Sequence, residues 1–99
     1  MAHVVVLGAG LGGTIMAYEL RDALGADHRV SVVNKGTKFS FVPSNPWIAV
    51  GWRDREDVEV DLTEVFARRD IAFFPQGAER VHPEKKQVKL SDGTDLDYD

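Results

Sequence analysis

His3-Val-Val-Val-Leu-Gly-Ala-Gly-Leu-Gly-Gly-Thr-Ile-Met16 carries three patterns in direct succession. The apolar, β-branched run through Leu7 is what a strand buried on both faces of a parallel sheet requires. Glycines follow at once in the spacing Gly8-x-Gly10-x-x-Gly13. Helical spacing comes next: Ile15, Met16, Leu20, Ala23 and Leu24 recur at intervals of three, four and seven to eight, while Glu19, Arg21 and Asp22 lie largely off that stripe. Gly25 is placed to end the helix in a left-handed conformation. Arg29 to Val33 reads as a second strand, and strand, tight turn, helix, strand within about thirty residues is a βαβ unit.

Each glycine has a mechanical task in such a unit. Gly8 permits the tight turn, Gly10 lets the backbone approach a pyrophosphate, and Gly13 lets helix and strand pack closely. The free N–H groups and the dipole at the helix start attract the phosphate charge, and Leu11 and Gly12 lie in that first turn. The pattern alone is weak, because glycine is common, and a plain strand-to-helix turn is the competing reading. The preceding strand, the following helix and the length of the unit favour a dinucleotide site. Asn34 departs from the pattern. At the end of the second strand an Asp or Glu usually accepts from the adenosine ribose. An amide still accepts, without charge assistance, and Lys35 beside it could favour a 2′-phosphate. Asn34 could also simply start a turn.

Further along, residues 34–57 show prolines, turn formers and aromatics without a lasting period, which predicts a long irregular loop. Asp61 or Thr63 would cap a short helix running to Arg69, with Val65 and Phe66 inward. Residues 71–74 read as a third parallel strand. Residues 78–82, 87–90 and 96–98 read as an antiparallel ribbon, turned at Asp92-Gly93. The fold class is therefore α/β: a Rossmann-like βαβ parallel sheet with an antiparallel β-ribbon, one domain over residues 1–99. Three parallel strands make a narrow sheet, so a truncated domain is expected.

The bulk numbers limit the functions. With 99 residues there is room for one small domain. A net charge of −4 argues against nucleic acid, which needs a basic face. There are no cysteines, so disulfides, thiolate metal sites and thiol redox steps are excluded from this chain. His3, His28 and His82 show no metal-ligand spacing, and no catalytic residue is identified. The glycines break the first apolar run too early for a secretory signal, and no stretch approaches the roughly 20 apolar residues of a membrane span.

Phe41-Val-Pro-Ser-Asn-Pro-Trp-Ile-Ala-Val-Gly-Trp52, at this distance from the glycine loop, resembles the N-terminal segment of the sulfide:quinone oxidoreductases, within the two-dinucleotide-binding-domain flavoproteins. Their relatives include the flavocytochrome c sulfide dehydrogenases and the type II NADH dehydrogenases. The resemblance runs from His3 to Tyr98. It implies an incomplete FAD-binding domain, with Gly8, Gly10, Leu11, Gly12 and Gly13 on the FAD pyrophosphate and Asn34 and Lys35 bordering the adenosine. It also implies that Pro43, Ser44 and Asn45 pass near the flavin, and that Val81 contacts adenine through its backbone. Prolines would stiffen a loop that holds a planar ring. Ordinary packing is the competing reading for Trp47 and Trp52, and a plain core position for Val81.

The parent enzyme implied by the resemblance oxidises sulfide with redox-active cysteines, passes two electrons to FAD and delivers them to a membrane quinone. It would be a peripheral membrane protein whose membrane contact lies in its C-terminal part. The chain by itself is expected to be inactive, largely apo and prone to form a homo-oligomer through uncovered apolar surface. Two alternatives stand beside this: a piece of a related flavoprotein, or a non-catalytic nucleotide-binding module.

Overall fold

The computed structural model describes residues 2–40, 46, 49–51 and 59–99. Strand β1 (His3–Leu7) pairs in parallel with β2 (Arg29–Val33), His3 opposite Arg29 and Leu7 opposite Val33. Helix α1 (Leu11–Ala23) connects them. On the far side of β2 lies β5 (Ala72–Phe74), with Val33 opposite Phe74, so the parallel sheet has the order β1-β2-β5. As the central strand, β2 is buried from Val30 to Val33, which is why its sequence is almost unbroken Val.

Two layers cover this sheet. On one face, α1 and α2 (Leu62–Arg68) enclose Ala17, Val30, Val32, Leu62, Phe66 and Ile71. Phe66 is fully buried, edge-on to Tyr18 and tilted against Phe73. Burying a side chain of this size stabilises the fold by about 2–3 kcal/mol. On the other face sits the antiparallel ribbon β6 (Ala78–His82), β7 (Gln87–Leu90) and β8 (Asp95–Asp97), joined by Val33, Val88, Leu90 and Leu96. His3 and Ser31 are buried polar residues on that side of the sheet, and His3 Nε2 lies 2.7 Å from Ser31 Oγ.

The βαβ unit, the third parallel strand and the ribbon match the sequence expectation. Three details differ. Residues 34–57 are not wholly irregular: β3 (Lys38–Ser40) pairs antiparallel with β4 (Glu59–Asp61), and Lys35 bridges Gln76. The partners are about twenty residues apart, beyond any local period. Helix α1 ends without a left-handed glycine; Leu24 is extended there, and Arg21 reaches the carbonyls of Gly25 and His28. Finally, Ile15 and Met16 are about half exposed. The buried position of α1 is Ala17, flanked by Leu20 and Leu24, because a helix that close to the sheet presents small residues to it. Asp61 caps α2 as expected, its Oδ1 accepting from the Thr63 N–H at 3.0 Å.

Candidate dinucleotide site

The turn after β1 is built by short-range hydrogen bonds. The Gly8 N–H donates to the Val33 carbonyl at 2.7 Å, carrying the β1–β2 ladder one residue into the turn. Gly8 then takes φ = +95°, a conformation costly for any side chain. Gly13 is required for a different reason. A Cβ there would collide with the Gly8 carbonyl, so the helix could not lie this close to β1. Gly10 is the N-cap of α1 and no side chain caps it. The N–H groups of the first helical turn thus lack a side-chain acceptor and can meet an anion. A Cβ at Gly10 or Gly12 would meet nothing within 4 Å, so the bend is open.

Asn34 ties this turn to the next strand end. Its Oδ1 accepts from the Ala9 N–H at 3.0 Å, and its Nδ2 donates to the Gly36 carbonyl at 3.1 Å. Its own N–H donates to the Phe74 carbonyl, and the Gly36 N–H to the Pro75 carbonyl. The carboxyl ends of β1, β2 and β5 are thereby laced together. A cavity of about 490 Å³ opens at these ends, bordered by Gly8, Asn34, Lys35, Gln76, Ala78 and Ser91. Ligands of open α/β sheets settle outside the carboxyl ends of the strands. Lys35 is exposed and is the single charged residue on the cavity wall among the described residues. Gln76 Nε2 donates to Asp92 Oδ2 at 3.2 Å, which holds the ribbon turn against the rim. The Thr94 N–H hydrogen-bonded to Asp92 keeps that carboxyl below its ordinary range.

A second cavity, of about 270 Å³, lies at the amino ends of the strands, beside Arg21, His28, Arg29 and Asp70. Its Arg21 guanidinium is engaged by three backbone carbonyls, those of Gly25, His28 and Asp70. That end of the sheet is braced rather than left open for a ligand.

Of the residues singled out in the sequence, Gly8, Gly10, Leu11, Gly12, Gly13, Asn34 and Lys35 converge on the carboxyl-end side. Val81 does not join them: it borders a smaller cleft with Val5, Leu7, Val88 and Tyr98. Ala78, three residues earlier on the same strand, lines the main cavity instead. Pro43, Ser44 and Asn45, with Trp47 and Trp52, lie outside the described residues. Sequence reasoning missed Gln76, Ala78 and Ser91. A signal for Gln76 was available, since it lies two residues past the third parallel strand, on the side where Gly8 and Asn34 directly follow the first two. Ser91 carries no local signal, because the ribbon brings it there. Among the described residues no cluster of His, Asp and Glu is suited to a metal ion.

No protein-family profile matches the chain. The sulfide-quinone reductase of Aquifex aeolicus is 35% identical over 97 residues, covering 98% of this chain and 22% of that protein. The X-ray structure of the sulfide:quinone oxidoreductase from the same bacterium superposes on the whole chain with a TM-score of 0.94 and 34% identity. The resemblance to sulfide:quinone oxidoreductases holds. This chain spans about a quarter of the solved enzyme, 23% of its length. Putidaredoxin reductase, solved in covalent complex with putidaredoxin, follows at a TM-score of 0.80, 27% identity and 24% of its length. An NAD-dependent persulfide reductase from A. fulgidus shares the fold at a TM-score of 0.82 and 21% identity. Like the sulfide:quinone oxidoreductases, these relatives are oxidoreductases by name, and the α/β fold with its antiparallel strands is common to them. No helix of the described residues is long and apolar enough to cross a membrane.

Proposed function

We propose that this chain is the FAD-binding portion of a flavin-dependent sulfide:quinone oxidoreductase, contributing the seat for the ADP half of the cofactor. The open glycine bend at the carboxyl ends of three parallel strands carries this reading. It fits the group because Gly10 and Gly12 leave space where a side chain would stand, and because the first turn of α1 has no side-chain cap. The diphosphate would rest on the N–H groups of Leu11, Gly12 and Gly13, favoured by the α1 dipole. Asn34, Lys35 and Ala78 would border the adenosine, and Pro43, Ser44 and Asn45 would approach the flavin. Val81 supports an adenine contact less well than Ala78, since it faces the other cleft.

When bound, FAD supplies a two-electron acceptor and donor. The residues of this chain only bind and orient it. There is no cysteine here to form the disulfide that sulfide would attack, so sulfide oxidation would fall to other parts of the whole protein, as would quinone reduction and membrane contact. The 99 residues alone should be inactive and largely free of FAD, because cofactor affinity is spread over a whole domain.

The test is to purify the full-length protein that contains these residues and record its visible absorbance. Quinone reduction is then followed with sulfide and, separately, with NADH. Flavin absorbance with sulfide-driven turnover is expected. Turnover with NADH alone would move the protein to the NADH-dependent relatives, and a flavin-free protein would remove the cofactor assignment altogether.

A further inference from the structure

We infer that Asn34 acts as a positioning residue for the phosphate-binding bend, not as a ribose ligand; the inference rests on the dinucleotide reading above. The position is one where an acid normally meets the adenosine ribose. In this structure the side chain is already committed on both sides. Oδ1 accepts from Ala9 N–H at 3.0 Å, and Nδ2 donates to the Gly36 carbonyl at 3.1 Å. Both partners are backbone groups of fixed polarity, so the amide has one orientation that satisfies them. A carboxylate would serve Ala9 equally well, but it has no hydrogen to give Gly36 and would set two acceptors against each other. The amide is therefore the side chain that the two contacts together require, which accounts for the departure from an acid.

Turning Asn34 toward a ribose would release Ala9, the residue between the first two glycines of the bend. Ala9 is itself buried and its carbonyl accepts from Thr14 Oγ1 at 3.1 Å. Ala9 is thus fastened on both sides of its peptide, and Asn34 supplies one of the two fastenings. The same amide also ties the bend to the segment after β2, where the Asn34 N–H is anchored on Phe74 of β5 and the Gly36 N–H on Pro75. Asn34 fixes the bend relative to the rest of the cavity wall, and that is how it reaches the diphosphate.

In the full-length protein freed of flavin, wild type, Asn34→Ala and Asn34→Asp are compared by amide hydrogen exchange at Ala9 and by calorimetric titration with ADP and with 2′- and 3′-deoxy-ADP. Expected is an Ala9 amide that exchanges about tenfold faster in Asn34→Ala and stays protected in Asn34→Asp. The alanine variant should lose the same factor, about three- to tenfold, for ADP and for both deoxy analogues. A loss that disappears when a ribose hydroxyl is absent would make Asn34 a ribose ligand and overturn the inference. Unchanged exchange at Ala9 in Asn34→Ala would overturn it as well. Should wild type fail to bind ADP while Asn34→Ala still frees Ala9, the dinucleotide reading falls and Asn34 remains the fastening of the bend.

Discussion

At the scale of single residues, Gly10 and Gly13 belong to the same motif yet answer to different forces. Gly13 sits where any Cβ would strike the Gly8 carbonyl, whereas Gly10 faces open space. Gly13→Ala should therefore destabilise the protein by about 3 kcal/mol or more, since backbone must move to admit the methyl group. Gly10→Ala should leave stability within about 0.5 kcal/mol of wild type and weaken ADP binding by about tenfold. Urea unfolding and calorimetry on both variants would show the separation, and equal stability losses would contradict it. His3 gives a pH-dependent counterpart. Burial chiefly, with Arg29 adding repulsion, holds its imidazole below the ordinary histidine range, while Asp97 and Asp99 pull the other way. The neutral ring is the one the fold favours, so this contribution is present above the unfolded pKa, about 6.5, and is lost as pH falls through the lower folded value. Unfolding midpoints measured from pH 8 to pH 5 should fall more steeply for wild type than for His3→Gln. Parallel curves would remove His3 from the account.

Secondary elements differ in how far the sequence announces them. The first βαβ unit was legible because its signals are local: a Val-rich strand, glycines at fixed spacing, then a helical period. The cap of α2 was legible for the same reason, since Asp61 meets an N–H two residues away. The pairing of β3 with β4 was not, because Lys38 and Asp61 meet across the intervening chain and neither segment alternates for long. The helical stripe of α1 misled in part. Apolar spacing identified the helix, but close approach to the sheet chose small Ala17 for the interior and left Ile15 and Met16 outside. In the site the glycines were readable, whereas Ala78 and Ser91 depend on where the ribbon docks. The helix-side core concentrates on Phe66, which meets Tyr18, Phe73 and the α2 neighbourhood together. Phe66→Ala should cost about 3–5 kcal/mol. That is comparable with the whole stability of a small domain, so thermal melting followed by circular dichroism should show the variant largely unfolded. A melting temperature near wild type would mean that the α1–α2 layer contributes little.

At the scale of the whole molecule, the structure is more open than its length suggests. Its radius of gyration is 15.0 Å, against about 13 Å for a compact domain of 100 residues. Leu7, Leu11, Ile15 and Met16 are each about half exposed, and β1 is an edge of the parallel sheet. Asp99 occupies that edge only at His3, and uncovered apolar side chains next to a partly unpaired strand edge favour association. Size-exclusion chromatography of the 99-residue chain should show apparent mass rising with concentration, and a monomer at every concentration would contradict this.

Whether the bend from Gly8 to Gly13 seats a diphosphate can be read from its own amides by NMR. The isotopically labelled chain is titrated with ADP and, in parallel, with adenosine. ADP should move the amide resonances of Gly10, Leu11, Gly12 and Gly13, and adenosine should leave them nearly in place. Absence of any shift at these four amides, or shifts confined to the Arg21 and His28 end of the sheet, would contradict it.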